Sequence, residues 1–218
     1  MKRLILLLFV ASLAALAGKA QDTVVLKHQA YTSIFCKSAH VPVCVTYRLH
    51  KGQINCTPKI HRTDDFKADP QCAGTNLKRD YAGNGYDQGH CMSADDNQCS
   101  LDQMHECFYY TNMLPQLPNL NRGTWKQYEE HERALANQYD SVHVWIGWYG
   151  IDRRIGPDSV VVPQWCWKVI YIAGKTDSME VYTFRNTPAP SGVANWNDKQ
   201  EPSIEQMAWI NYCINHWQ

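Results

Sequence analysis

Apolar side chains recur at helical spacing from Trp125 onward. Trp125, Tyr128, Leu135 and Tyr139 fall on one face of a helix, and charged residues stand between them. A period of 3.6 residues with charges on the opposite face is typical of an amphipathic helix packed on a core. The pattern therefore predicts a helix over residues 123–139.

The segments on either side of this helix have the pattern of β-strands. Residues 41–49 alternate and are rich in β-branched side chains, which predicts a strand. Residues 142–148 and 160–173 are β-branched and aromatic runs, which predict two buried strands of one sheet. Strands, then a helix, then strands favour an α+β fold over a regular βαβ series.

Shorter patterns predict the remaining elements. They are a polar loop over residues 54–85, an aromatic strand over 105–112, a charged turn over 152–158, a loop containing Pro188, Pro190 and Gly192, and a C-terminal helix over 204–214.

The first twenty residues predict a secretory signal peptide. Lys2 and Arg3 precede an apolar run over residues 4–17 that contains a single Ser, and Ala20 offers a small residue for cleavage. A membrane anchor is the alternative, but a bilayer span needs about 20 apolar residues. We therefore expect a signal peptide over residues 1–20 and a secreted or periplasmic protein with no membrane attachment after cleavage. Since no internal repeat follows, we expect one domain over residues 21–218.

Composition excludes several classes of protein. With 44% hydrophobic and 19% charged residues, the chain is neither a disordered tail nor a fibre. Lys and Arg total 21 and Asp and Glu total 21, and three of the cations lie in the first twenty residues, so the remainder carries a net charge near −3. This excludes a uniformly basic coat for nucleic acid, while a local basic patch stays open.

Nine cysteines follow the predicted signal peptide, at positions 36, 44, 56, 72, 91, 99, 107, 166 and 213. In a secreted chain they predict disulfides, as four pairs with one thiol left over, whose connectivity the sequence does not give. A zinc site is the alternative, because Cys91, Cys99 and Cys107 are evenly spaced near His90 and His105. Structural zinc sites prefer two to four residues between paired cysteines, and no C-x-x-C occurs, so disulfides are favoured.

Two polar segments contain candidate catalytic residues. The first is Y-D-Q-G-H at residues 86–90, where Gly89 allows close approach of the backbone and His90 offers an imidazole. The second runs over residues 112–133 and contains Asn112, Pro115, Gln116, Asn121, Trp125, Glu129 and Arg133. Taken singly, each has a structural explanation: a hydrogen-bonded histidine, capping asparagines and an ordinary i,i+4 ion pair.

The ordered combination resembles the DNA/RNA non-specific endonuclease family, the ββα-metal or His-Me finger nucleases. The family pattern is D-R-G-H, then N-x-x-P-Q, then N, then W-x-x-x-E within a helix. Here D-Q-G-H stands at 87–90 and N-M-L-P-Q at 112–116, and the later residues follow at the intervals of the family. Arg62, Phe66 and the Asp-Pro pair at 69–70 resemble its R…F…D-P segment. The resemblance covers roughly residues 42–173.

The resemblance implies a ββα-metal fold with a mainly antiparallel sheet and a metal-bearing helix. The nine cysteines are more than the family leads us to expect, and Cys91, directly after His90, predicts a disulfide that braces the site. The resemblance also implies cleavage of DNA and RNA with Mg²⁺, for which Mn²⁺ substitutes, and it names no protein partner. The residues it assigns are His90 as general base, Glu129, Arg62, Asn112 and Arg133 as further catalytic residues, Gln88, Asp87 and Gln116 as substrate-binding residues, and Asn121 as the metal ligand.

The chemistry of phosphodiester hydrolysis fits these residue types. An imidazole is the side chain best suited to activate water near neutral pH, and a hard cation offsets charge on the leaving oxygen. Mg²⁺ keeps most of its waters, so one amide ligand from Asn121 suffices. Glu129 lies eight residues later, about 12 Å along a helix, so we expect it to hold metal-bound waters. Arg62 and Arg133 have guanidinium groups that can grip the phosphate.

Gln88 departs from the family pattern, which has Arg at this position. The lost charge weakens a phosphate contact by about 1–2 kcal/mol. This departure supports an alternative function, a disulfide-rich nucleic-acid-binding protein with weak or no turnover. Retention of His90, Asn121 and Glu129 favours the enzyme.

Overall fold

A seven-stranded antiparallel sheet forms the centre of the molecule, with strand order β1-β2-β3-β6-β7-β8-β9. The computed structural model describes residues 22–173, 178–188 and 198–216, so the predicted signal peptide and Pro190 and Gly192 of the predicted loop lie outside it. The strands of this sheet are β1 (Thr23–Lys27), β2 (Thr32–Cys36), β3 (Val41–His50), β6 (Ser141–Ile155), β7 (Val160–Ile172), β8 (Ser178–Arg185) and β9 (Lys199–Gln200).

In the described part of the chain, a separate hairpin and five α-helices pack around the sheet. The hairpin pairs β4 (Asp87–His90) with β5 (Met113–Gln116) in antiparallel register. The helices are α1 (Lys51–Ile54), α2 (Lys78–Tyr81), α3 (Leu101–Cys107), α4 (Lys126–Tyr139) and α5 (Ile204–His216). A π-helical turn, Leu120–Trp125, joins β5 to α4 and is kinked at Gly123. β4, β5 and α4 thus form a ββα unit on one face of the sheet. No helix in the described ranges is long and apolar enough to cross a membrane.

A buried ion pair fastens α4 to the sheet. Glu132 of α4 accepts hydrogen bonds from Lys168 of β7 at 2.8 Å and from the Tyr47 hydroxyl of β3 at 2.8 Å. Both charged side chains are fully buried, and the Lys168 ammonium lies 4.9 Å from the centroid of the Trp125 ring. Because buried charges tolerate little misplacement, these contacts define how α4 sits on the sheet.

The predicted α+β class with a mainly antiparallel sheet is confirmed, and so are its principal elements. Helix α4 and the turn before it cover the predicted helix, and β3, β6, β7 and α5 correspond to the predicted strands and C-terminal helix. The charged turn is shorter than predicted, because β6 continues to Ile155. Residues 54–85 contain part of α1 and all of α2 within the predicted loop.

The strand predicted over residues 105–112 is wrong. Helix α3 occupies Leu101–Cys107, and a single 3₁₀ turn follows at Tyr110–Asn112. The Ser100 side chain caps α3 by accepting from the backbone N–H of Gln103. This cap starts the helix upstream of the aromatic run on which the strand prediction rested.

The prediction of four disulfides is also wrong. Among the described residues there is one disulfide, between Cys56 and Cys99, which are 43 positions apart in sequence. Buried free thiols belong to Cys36, Cys44, Cys72, Cys91, Cys107 and Cys166. Free cysteine is among the most buried residue types and packs as a small apolar side chain, which accounts for these positions. Cys99 is oxidised and so cannot be a zinc ligand, and the described residues contain no group of three metal-ligating side chains.

Candidate active site

A cleft of about 360 Å³ opens beside the ββα unit. Its lining residues come from the segment before β4, from β4 and the residues after it, from the π-helical turn before α4, and from the start of α4. They are Arg62, Gln88, His90, Ser93, Ala94, Asp95, Asn121, Arg122, Lys126 and Glu129. The cleft brings together five of the predicted site residues, among them the predicted base and the predicted metal ligand.

His90 ends strand β4 and lies between aromatic rings. Its imidazole meets the Phe108 ring edge to face at 4.9 Å between centroids, and Phe66 lies 5.7 Å away. The Trp125 indole donates to the His90 carbonyl at 3.1 Å, which fixes the backbone. Burial, and to a lesser degree the Arg62 charge, lower the pKa of His90 to about 3. The imidazole is therefore neutral at physiological pH, and a pKa this low makes it a weak base in the free protein.

Arg62 lines the cleft from the segment before β4. Its guanidinium lies 4.9 Å from the centroid of Phe108, the same ring that packs on His90, and pairs with Asp64 at 2.5 Å. The side chain is half exposed, so its donors are accessible to a ligand in the cleft. A cation beside a neutral base favours an anionic substrate such as a phosphate.

Asn121 is oriented by Asp87. The Asn121 amide nitrogen donates to the Asp87 carboxylate at 3.0 Å, and the same carboxylate binds the Arg122 guanidinium. Because the amide nitrogen of Asn121 is hydrogen-bonded to Asp87, the amide oxygen points away from Asp87. A hard cation prefers such an oxygen, and a carboxylate that fixes the ligand from behind is the usual outer contact of a metal site.

Glu129 lies on the wall formed by α4, two turns after Asn121. Burial raises the pKa of the Glu129 carboxyl to about 8, although the nearby Lys168 ammonium acts in the opposite direction. The elevated pKa of this half-buried group means that its surroundings do not fully stabilise the ionised carboxylate. Together with the Asn121 oxygen, it therefore suits a divalent cation with bound waters.

Asn112 and Gln116 lie outside the cleft. The Asn112 amide accepts from the Met92 backbone N–H at 3.0 Å and donates to the carbonyls of Met92 and Cys107. It thus holds the chain just after His90. Gln116 is buried against Gly89, where any β-carbon would collide with it. The structure places both amides in support of the hairpin.

Arg133 is not among the residues that line the cleft. It donates to Asp96 at 3.0 Å and to Ser93 at 3.2 Å, on the segment that follows His90. Asp96 in turn accepts from the Ser93 backbone in a capping box around a 3₁₀ turn. These hydrogen bonds connect α4 to the segment that forms one wall of the cleft. The predicted phosphate contact of Arg133 stays a prediction.

A comparison with protein families agrees with this geometry. The model of the family described as DNA/RNA non-specific endonuclease matches residues 14–216. The chain belongs to the DNA/RNA non-specific endonuclease family.

Individual relatives place the chain within this endonuclease family. Mitochondrial Endonuclease G of Homo sapiens is 30% identical over 148 residues, which are 61% of this chain and 50% of that protein. Mitochondrial Nuclease 1 of Schizosaccharomyces pombe is 32% identical over 157 residues, 64% of this chain and 48% of that protein. The chain therefore spans about half the length of the curated relatives it matches.

A solved structure of the family has the same fold. The crystal structure of the EndoG/EndoGI complex contains a chain that superimposes with a TM-score of 0.68 at 26% identity. The match covers 78% of this chain and 77% of that chain. It confirms the predicted ββα-metal fold class.

The prediction of a secreted or periplasmic protein is wrong. Curated nuclease relatives from Homo sapiens, Bos taurus, Schizosaccharomyces pombe and Mus musculus are named as mitochondrial, which contradicts the predicted secretion. Secretory and mitochondrial targeting segments share basic residues and a shortage of acids. Lys2 and Arg3 therefore did not distinguish the two.

The family pattern does not include five residues of the cleft, which are Ala94 and the polar residues Ser93, Asp95, Arg122 and Lys126. Arg122 and Lys126 are four residues apart and flank the helix start between Asn121 and Glu129. Their helical spacing was the available signal, since residues at this separation share a face. Ser93 and Asp95 follow the D-Q-G-H motif directly but carry no periodic pattern.

Proposed function

We propose that the protein is a metal-dependent endonuclease that hydrolyses phosphodiester bonds in DNA and RNA with little sequence specificity. The proposed cation is Mg²⁺, with Mn²⁺ as a substitute. The observation that carries this proposal is the convergence in one cleft of a neutral His90, the Asn121 oxygen and Glu129. The mitochondrial names of the relatives support a mitochondrial location.

His90 acts as the general base in this proposal. A neutral imidazole accepts the proton of the attacking water, which removes the cost of forming hydroxide. The pKa of His90 is low in the free protein partly because Arg62 is cationic. A bound phosphate offsets that charge, which raises the pKa of His90 toward the range that suits a base.

Asn121 and Glu129 would hold the cation, the first by its amide oxygen and the second through bound water. When bound, Mg²⁺ stabilises the charge that develops on the phosphate and on the leaving oxygen. Asp87 keeps the Asn121 amide oriented, and the tie between α4 and Lys168 keeps Glu129 in place. Arg62 and Lys126 both line the cleft and supply positive charge for the substrate.

The alternative is a nucleic-acid-binding protein without appreciable turnover, which the replacement of the family Arg by Gln88 supports. Digestion of supercoiled plasmid and of a long RNA separates the two functions. We expect nicked and linear plasmid and shortened RNA with Mg²⁺ or Mn²⁺, and intact substrates with EDTA. Mobility shift in EDTA without cleavage in either metal would establish the alternative.

Protein partners of this chain are not apparent from its sequence. The solved relative forms an EndoG/EndoGI complex in which EndoG is inhibited. This supports a search for a protein inhibitor of the present chain, with cleavage of plasmid as the readout.

A further inference from the structure

The cleft contains an arginine that the family pattern does not include. Gln88 stands where the family has Arg, so strand β4 brings no positive charge to the substrate. Arg122, from the π-helical turn before α4, lines the same cleft as Gln88. The positive charge that β4 lacks at Gln88 is therefore supplied to the cleft by Arg122.

The Arg122 guanidinium is held in a fixed orientation. Its Nε donates to Asp87 Oδ2 at 2.8 Å and its Nη2 donates to Asp87 Oδ1 at 2.7 Å. A guanidinium has five N–H donors, so this bidentate pair leaves three for another acceptor. The Arg122 side chain is 71% exposed and that of Asp87 only 17%, so the remaining donors of Arg122 are accessible from solvent.

Asp87 also links Arg122 to the proposed metal ligand. One oxygen, Oδ2, accepts from both the Asn121 amide and the Arg122 Nε. The amide oxygen of Asn121 and the outer edge of the guanidinium are thereby positioned relative to each other. An anion held by Arg122 would lie next to a cation held by Asn121, as a phosphate of the cleaved strand must.

We propose that Arg122 makes the charged phosphate contact that Gln88 cannot make, so that the cationic group has moved from β4 to the turn before α4. This inference rests on the proposed function. Arg122 binds a non-bridging oxygen of the nucleic-acid backbone and is a substrate-binding residue. Asp87 offsets part of its charge, so we expect a contact of moderate strength.

The test measures the salt dependence of plasmid cleavage by Arg122→Gln. We expect KM to rise about three- to tenfold, with kcat within about threefold of the original. The slope of log KM against log salt should decrease by about 0.9, the value for one lost phosphate contact on duplex DNA. Arg122→Lys keeps the charge and should retain most of the slope.

Arg48→Gln is the matched control, because it removes an exposed arginine from the opposite face of the sheet. Its neighbour Tyr47 contacts α4, and successive strand residues face opposite sides, so Arg48 faces away from the cleft. We expect this variant to keep the original KM and salt slope.

Two results would overturn the inference. An unchanged salt slope in Arg122→Gln, with a higher Mg²⁺ requirement, would show that Arg122 only positions Asp87 and Asn121. In the double variant Gln88→Arg, Arg122→Gln, we expect the salt slope of KM to recover. A slope that stays low would contradict the proposal that Arg122 makes the phosphate contact that Gln88 cannot make. If the unaltered protein cleaves normally in these assays, the proposed function survives either result. If the unaltered protein cleaves nothing, the proposed function itself fails.

Discussion

Replacement of Glu132 by Gln should destabilise the protein strongly although it changes almost no volume. Glu132 and Lys168 are fully buried and joined at 2.8 Å, and the second carboxylate oxygen accepts from Tyr47. Gln keeps the shape and an acceptor for Tyr47 but leaves the Lys168 ammonium without a counter-charge. An uncompensated charge of this kind costs about 3–5 kcal/mol. Domains have only about 5–15 kcal/mol of stability, so the loss is a large share.

Urea denaturation followed by circular dichroism measures this loss as a change in the free energy of unfolding. Glu130→Gln, on the exposed side of α4, is the control and should change it by less than about 0.5 kcal/mol. The double variant Glu132→Gln, Lys168→Met removes both charges and should recover most of the stability, because an apolar replacement of a buried pair is often neutral.

A loss of less than about 1 kcal/mol in Glu132→Gln would refute this reasoning. Such a result would mean that Lys168 reaches water or another carboxylate, and that the pair does not fix α4 on the sheet. Failure of the double variant to recover would point to the lost Tyr47 contact as the cause.

Three further predictions concern the metal site, its protonation and the disulfide. Asn121→Ala should raise the Mg²⁺ concentration for half-maximal cleavage at least about tenfold, whereas Asn112→Ala should leave it unchanged and lower the free energy of unfolding by about 2–4 kcal/mol. Equal shifts in the metal titrations would contradict the assignment. Burial raises the pKa of Glu129 to about 8, and this carboxyl must lose its proton to hold the hydrated ion. Mg²⁺ affinity should therefore increase about tenfold per pH unit up to pH 8 and level off above it. Calorimetric titrations at pH 6.5, 7.5 and 8.5 measure this, and constant affinity would count against Glu129. Reduction of the Cys56–Cys99 bond should lower the free energy of unfolding by about 2–4 kcal/mol. Alkylation with mass spectrometry should find these two cysteines protected and Cys36, Cys44, Cys72, Cys91, Cys107 and Cys166 modified, and eight protected cysteines would contradict the structure.

The sequence predicted those elements whose hydrophobic period is long and regular. Helix α4 and strands β3, β6 and β7 each carry such a pattern, because each presents one or both faces to the core. Helix α3 was missed because its start depends on the Ser100 cap, and the aromatic residues after it have high strand propensity. The short strand β1 and the two-residue β9 lie at the edges of the sheet, where pairing depends on neighbours distant in sequence.

The candidate site was predictable in its residues but not in their partners. Spacing in the motif identified His90, Asn121 and Glu129, which the cleft brings together. The bonds from Asp87 to Asn121 and Arg122 join residues more than thirty positions apart, and nothing local in the sequence encodes them. The number of cysteines likewise did not indicate the number of disulfides, since packing buries the thiols without joining them.

Cleavage by His90→Ala tests most directly the central claim that the buried imidazole is the general base. Single-turnover cleavage of plasmid with saturating Mg²⁺ should fall by about 10²–10⁴-fold, while mobility shift and circular dichroism remain as in the unaltered protein. His50→Ala is the matched control, since His50 is exposed at the end of β3 and does not line the cleft, and we expect full activity from it. Turnover of a folded His90→Ala within a few-fold of the original would contradict the account.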